Sequence, residues 1–341
     1  MKFSYVFGLA VSGILLASCG GTGTVTPPLT PMFTDPGTPV SQGEVVVPSM
    51  ITADGKLLGS YTNFAYYWDA AGSIPHAICQ AGNPNHWYAV DANGKFYGDF
   101  SNKPSTITGT NGMPVFLSLP GSLTTGTAAA VNSSGQIVGY SFVGNVGHAI
   151  YWDSNLNPTA LDGASATARA ITDSGEIFGE SLDSQGVFHD IAYWPSPSSP
   201  MQIVPGTTLG HVKFVNKTNG MAGVDILGAP ATTGNAAVIT TNPLTVHILK
   251  GGAATVTGIS DSGMIVGNLY SNPHDTNSKK AVVWKNMNAD PVEISKVIQT
   301  PSQWTVYGVV GIYPNGTLVL QTTPVDYIGL PHAFYTATPL P

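Results

Sequence analysis

The chain has 341 residues, only 9 % of them charged, and a formal net charge of -7 at neutral pH, whereas a typical globular protein is about 25 % charged. Forty glycines and 26 prolines accompany an apolar fraction of 43 %, enough to bury a core and too sparse in charge for coiled coils or charge-laced bundles. The acidic balance, with Arg169 as the only arginine, argues against nucleic acid, whose phosphates need clustered cations.

Lys2 precedes an apolar run from Tyr5 to Ala17 that ends in small residues. It is too short for a permanent transmembrane helix and reads as a cleaved signal peptide over residues 1–18. Leu16-Ala17-Ser18-Cys19 resembles the lipobox of bacterial lipoproteins. That resemblance implies lipid attachment at Cys19 and a membrane partner held through the lipid; with Gly20 rather than Asp next, it implies the outer membrane. Three acyl chains suffice for stable anchoring, since each buried methylene contributes about 0.8 kcal/mol. The chain has two cysteines. With Cys19 acylated, Cys79 has no partner, and its apolar surroundings suit a small buried hydrophobe.

Residues 19–43 hold the lipidated Cys and a Gly/Pro/Thr-rich stretch with one charge, Asp35. No hydrophobic period survives there, so it reads as an extended tether, with an edge strand added to the domain as the alternative.

Residues 44–341 carry internal repetition. An apolar residue, a polar turn and a glycine eight positions later recur as Ile51/Gly59, Val90/Gly98, Val131/Gly139, Ile171/Gly179, Val215/Gly223 and Ile259/Gly267, with Ile312/Leu320 a degenerate seventh. Four-strand propeller repeats have about this period, 40 to 45 residues. In the sixth copy Ala254–Ile259, Met264–Tyr270, Ala281–Trp284 and Pro291–Ile294 read as four strands; in the fourth, Ala168–Ile171, Glu176–Gly179, Asp190–Trp194 and Met201–Val204 do so. The expectation is an all-β, seven-bladed propeller of four-stranded antiparallel blades. The small-residue-rich first strand lies innermost, and the glycines mark close backbone approach.

Gly147-His-Ala-Ile-Tyr-Trp152, Pro331-His-Ala-Phe-Tyr335 and Ala130-Val-Asn-Ser-Ser-Gly-Gln-Ile-Val-Gly139 resemble the HAF repeat of bacterial extracellular proteins. The resemblance is close in copies three, four and six and partial elsewhere: the third strand is assigned to Val115–Leu117 in copy two and to Ala237–Thr240 in copy five. It implies an exported repeat protein of propeller form and no catalytic residues.

Trp68, Trp152, Trp194 and Trp284 recur at one position, which favours packing between blades over sugar stacking. Trp87 and Trp304 fall outside that register and are candidates for a functional surface. His148, His189 and His332 belong to the repeat and are read as bonding a neighbouring turn. No HxH, HExxH or CxxC spacing points to a metal, and no Gly-x-Ser-x-Gly elbow points to a nucleophile. Glu176, Glu180, Asp183 and Asp190 read as a solvated acidic rim. Arg169, on an innermost strand, reads as bonded to a carboxylate or carbonyl, with an anion contact at the channel as the alternative.

Loops between second and third strands are dissimilar, Ser101 to Met113, Gly228 to Asn235 and Ser271 to Lys280, and variation on a repeated scaffold marks the place of specificity. His274, Asp275, Lys279 and Trp304 are therefore candidate binding residues, with Trp87 and Arg169 beside them. The functional expectation is a monomeric, cofactor-free envelope binding module for a protein or glycan. A hydrolase or lyase acting on polysaccharide at the central pocket is the alternative.

Overall fold

The computed structural model describes residues 30–31, 47–52, 55–61, 64–69, 76–78, 86–108, 113–163, 165–226, 234–272, 275, 278–298, 304–324 and 333–337. Cys19, Cys79, His274 and His332 lie outside them. The described residues form antiparallel sheets arranged as a β-propeller, with no α-helix among them.

The first described strand is β1 (Thr30–Pro31). The first sheet holds β2 (Val47–Ile51), β3 (Leu57–Tyr61), β4 (Phe64–Trp68) and β5 (His76–Ile78). The second holds β6 (His86–Val90), β7 (Lys95–Phe100), β8 (Lys103–Thr108) and β9 (Val115–Phe116). The third holds β10 (Thr127–Val131), β11 (Ile137–Val143), β12 (Val146–Trp152) and β13 (Pro158–Ala160). The fourth holds β14 (Ala166–Ile171), β15 (Ile177–Leu182), β16 (Phe188–Trp194) and β17 (Gln202–Ile203).

Next come β18 (Gly210–Val215), β19 (Ala222–Ile226), β20 (Asn235–Thr241), β21 (Leu244–Ile259), β22 (Ile265–Tyr270), β23 (Lys279–Trp284) and β24 (Val292–Glu293), joined in one seven-stranded sheet. The last sheet orders β1 beside β27 (Ala333–Ala337), β26 (Leu318–Pro324) and β25 (Trp304–Ile312).

Two expectations change here. The described strands make six hydrogen-bonded sheets rather than seven separate ones, because the 16-residue β21 pairs with β20 through its first part and with β22 through its last. The fifth and sixth repeats thus share a strand. Second, Thr30 and Pro31, within the segment read as a tether, pair with Thr336 and Tyr335 as the outer strand of the last sheet. An early and a late segment of the chain thus meet in that sheet, and β25 packs beside β2 to close the ring.

Hairpin turns between first and second strands follow local chemistry. Asn132 Oδ1 accepts from the N–H groups of Ser134 (3.1 Å) and Gln136 (3.0 Å), while Gly135 takes a positive φ of 77°. That is the side-chain mimicry and left-handed glycine a tight turn needs. These turns also bond one another: Asn132 Nδ2 donates to the Thr172 carbonyl (3.0 Å), Asn216 Nδ2 to that of Ile259 (3.0 Å), and the Asp261 N–H to that of Pro314 (3.1 Å). The Asp/Asn-Gly motifs are structural turns.

The recurrent tryptophans are fully buried. Each of three donates its indole N–H to a carbonyl near the outer strand of the preceding repeat: Trp152 to Ser118 (2.6 Å), Trp194 to Asp162 (2.6 Å) and Trp284 to Lys250 (2.9 Å). One side chain thus fills the space between sheets and satisfies a polar atom there; truncating such a residue costs about 3–5 kcal/mol.

Candidate functional site

Every first strand carries a β-bulge at the same place. Its unpaired residue is Ser49 in β2, Tyr88 in β6, Ala129 in β10, Arg169 in β14, Lys213 in β18, Thr257 in β21 and Val310 in β25. A bulge releases one residue from the ladder and re-aims its side chain. Tyr88, Ala129, Arg169 and Lys213 line one central cavity together with Ala130, Ala170 and Phe214. The first strands β2, β6, β10, β14 and β18 therefore converge on this cavity, as the small residues of β10 and β14 suggest. The cavity measures about 80 Å³, well below the roughly 300–1,000 Å³ of ligand pockets.

Each bulge also frees a backbone N–H, which must find an acceptor when buried. The preceding repeat supplies it from its second strand. Glu180 Oε1 accepts from the Val212 N–H (3.1 Å), Asp225 Oδ1 from Val256 (3.0 Å) and Asn268 Oδ1 from Val309 (3.1 Å). These acceptors follow the residue that faces the bulge. That residue is Gly179 in repeat four, where a Cβ would collide with the Thr167 carbonyl, and Val224 in repeat five. Gly223 is therefore not the counterpart of the other glycines: the turn before it is one residue longer, with Gly220 rather than a residue four after Val215 in the left-handed conformation. In the first repeat the corresponding donor position is Pro48, which has no N–H, and Gln321 instead accepts from Lys279 Nζ (3.3 Å).

The latches consume the cations as well. Arg169 Nε donates to Glu180 Oε2 (2.8 Å), which also accepts from Thr167 Oγ1 (2.7 Å). The Arg169 guanidinium lies 4.2 Å from the centre of the Tyr140 ring and 5.4 Å from that of Phe188. Lys213 Nζ stands 3.5 Å from Asp225 Oδ2. Glu180 is 2 % exposed, which corrects its reading as part of a solvated rim. Glu176 accepts from the Tyr193 hydroxyl (2.8 Å) and His189 Nδ1 meets Asp190 Oδ2 (2.5 Å), so His189 bonds its neighbour in sequence rather than a turn. Burial raises the Asp225 carboxyl to a pKa of about 6 despite Lys213.

Between the second and third repeats a groove of about 380 Å³ opens, lined by His86, Tyr88, Asp99, Asn102, Thr127, Tyr140, Ser141 and Phe142 among others. Asp99 occupies the position of Glu180 and Asp225: it follows Gly98 and pairs with His86 as they pair with Thr167 and His211. Among the described residues it bonds no backbone N–H of the next repeat. Its neighbours are Thr127 Oγ1 at 3.5 Å and His86 Nδ1 at 3.6 Å, and burial raises its pKa, His86 opposing. Burial, with Tyr140 and Asp99 nearby, pushes the Tyr88 hydroxyl up to about 12.

The residues selected from sequence are distributed differently. Trp87 is half-buried and edge-on to Phe96, 6.1 Å between ring centres, in a cluster with Leu58 and Val90; packing uses it, while its neighbour Tyr88 reaches the groove. Lys279 lies in β23, 4.3 Å from the Tyr307 ring centre, and its pKa is lowered by burial; it lines a cavity of about 300 Å³ with Thr305 and Tyr307. Asp275 is exposed, and its carbonyl accepts from the Ser278 N–H (3.0 Å) and hydroxyl (2.7 Å). Trp304 begins β25 opposite Pro324, its side chain outside the description. The described part of the span from Ser101 to Met113, read as a loop, is mostly not one: Ser101 and Asn102 form a two-residue turn with positive φ, and Lys103–Thr108 is β8. The third strand of copy two is thus β8, and Val115–Phe116 is its fourth, β9. The bulge ring and the groove were missed because pairing across strands reveals them. The one local signal was the polar or acidic residue after Gly98, Gly179 and Gly267.

No family model matches this chain, and no curated protein matches it in sequence. Among solved structures, an oligogalacturonate lyase in complex with manganese is similar at a TM-score of 0.56 and 13% identity, over 93% of this chain and 98% of that one. A streptogramin B lyase is similar at 0.54 and 13% identity, over 87% and 94%. The extracellular domain of BT4673 from B. thetaiotaomicron is similar at 0.52 and 9% identity, over 91% of this chain; the match spans 39% of that longer chain. At these identities the likeness establishes the β-propeller fold alone.

Proposed function

We propose that the chain is a lipid-anchored binding module of the bacterial cell envelope. In this reading it is a monomeric, cofactor-free, seven-bladed propeller, held at the outer membrane by acyl chains on Cys19, that offers the mouth of its channel to a glycan or protein rather than to nucleic acid. One observation carries the binding reading: around the channel Glu180 and Asp225 are spent on the next repeat's backbone and on Arg169 and Lys213. Acid–base chemistry needs a carboxylate within reach of substrate, and these two are tied into the frame. The central cavity is also too small for a sugar unit, which weighs against hydrolysis there. The seven equivalent bulges support seven blades, two of them sharing β21. The lipobox resemblance supports the address, and an extracellular domain among the similar structures agrees with it.

Detergent phase partitioning tests the anchor: the natural chain should enter the detergent phase, and Cys19→Ala should move to the aqueous phase. Capture from envelope extract and glycan-array screening test the binding role. A lyase or hydrolase reading is favoured by the Asp99 and His86 pair in the groove. Release of reducing ends or unsaturated products from polysaccharides, abolished by Asp99→Asn, would establish it in place of simple binding.

A further inference from the structure

We propose that the groove between the second and third repeats is a binding site for a neutral hexopyranose unit, with Asp99 as its principal hydrogen-bond acceptor. The inference rests on the binding-module reading and names the ligand class.

Three acidic side chains hold one position in the fold. Glu180 and Asp225 each accept a backbone N–H from the next repeat at 3.0–3.1 Å, and each has a cation within 3.5 Å. Among the described residues Asp99 has only the long contacts to Thr127 and His86. A carboxylate almost wholly removed from water, 7 % exposed in its side chain, with so little bonding holds unspent acceptor capacity, and such groups normally find partners. It borders the groove, whose volume of about 380 Å³ lies within the range of ligand sites. Ser141 also borders the groove; it is 1 % exposed, and its buried hydroxyl has no hydrogen-bond partner among the described residues.

The remaining lining decides the ligand's chemistry. Tyr140 and Phe142 stand edge to face, 5.7 Å between ring centres, and Phe142 is 39 % exposed. An aromatic wall beside a carboxylate, an amide at Asn102 and a hydroxyl matches a pyranose, which presents apolar C–H faces and a rim of hydroxyl donors. Among the described residues no Lys or Arg lines the groove, and His86, the one cation-forming group beside Asp99, is charged only when protonated, so an acidic sugar would be repelled by Asp99 with little to offset it. A cationic ligand competes with the guanidinium already over Tyr140.

The test is calorimetric titration of the full chain in detergent with neutral gluco-, galacto- and manno-oligosaccharides, an oligouronate and choline. A neutral oligosaccharide is expected to bind, with at least a tenfold loss of affinity in Asp99→Asn and in Phe142→Ala, both checked for an unchanged melting profile. The same sugar bound equally by both variants would overturn the site while leaving the binding module standing. Preference for the oligouronate or choline would overturn the ligand class. Absence of any sugar binding, together with no partner captured from envelope extract, would overturn the module reading and this inference with it.

Discussion

The junction between the fourth and fifth repeats and that between the second and third are built on the same backbone plan. Both place a carboxylate on the second strand, after the residue that faces the bulge. At the first, Glu180 accepts from Thr167, Arg169 and Val212 and is buried and saturated. At the second, Asp99 is nearly as buried and has two long contacts beside an open groove. In one place the carboxylate holds the ring together; in the other it borders an open groove with acceptor capacity to spare. A repeat protein can turn a structural position into a binding position by withdrawing its partners, with no change of fold.

Removing the saturated member should have the largest effect. Glu180→Ala leaves the Val212 N–H without its acceptor and the partly buried Arg169 guanidinium without its carboxylate, and breaking a buried pair costs about 3–5 kcal/mol. Urea unfolding should register that loss, and a value below about 1 kcal/mol would break the comparison.

Asp225 sharpens it through pH. Its folded pKa of about 6 lies above its unfolded value of about 3.9, so between those values the folded state binds more protons. Stability from this group therefore falls as pH rises from about 4 to 6. The wild type should lose about 1–3 kcal/mol across that interval that Asp225→Asn does not lose, read as the difference between their unfolding free energies at pH 4 and 7.5.

Trp194→Phe removes the bond to Asp162 while keeping most of the ring volume. A loss of about 1–2 kcal/mol in thermal unfolding is expected if the indole serves the frame. Asp99→Asn should be the mildest, within about 0.5 kcal/mol of wild type, because no latch depends on it. A large destabilisation by Asp99→Asn would mean that the two junctions are alike after all.

Much of the frame was legible before any coordinates. The period of about 40 residues, the Asn/Asp-Gly turns and the recurrent tryptophans are local patterns, and the strands of the fourth repeat fall where the alternation puts them. Departures came where one residue changes a register. The longer turn ending at Gly220 hid Val224 behind Gly223, and the two-residue turn at Ser101 and Asn102 passed for the start of a long loop. Arg169 was legible as bonded but not as a link in a chain of contacts through Glu180 to Val212, because those partners lie 11 and 43 residues away. Trp87 stood out by its position in the sequence, yet its ring is engaged with Phe96 and Tyr88 takes the groove.

By itself the sequence determined an all-β chain of repeated four-strand units with structural turns, since these follow from hydrophobic period, turn chemistry and composition, all read from neighbours in the chain. The tertiary structure alone decided that β21 serves two repeats, that Thr30 and Pro31 help close the last sheet, and which acidic residue keeps acceptor capacity unspent. Those outcomes depend on which N–H a bulge exposes and which side chain reaches it across a junction, and that pairing exists only once the sheets stand side by side.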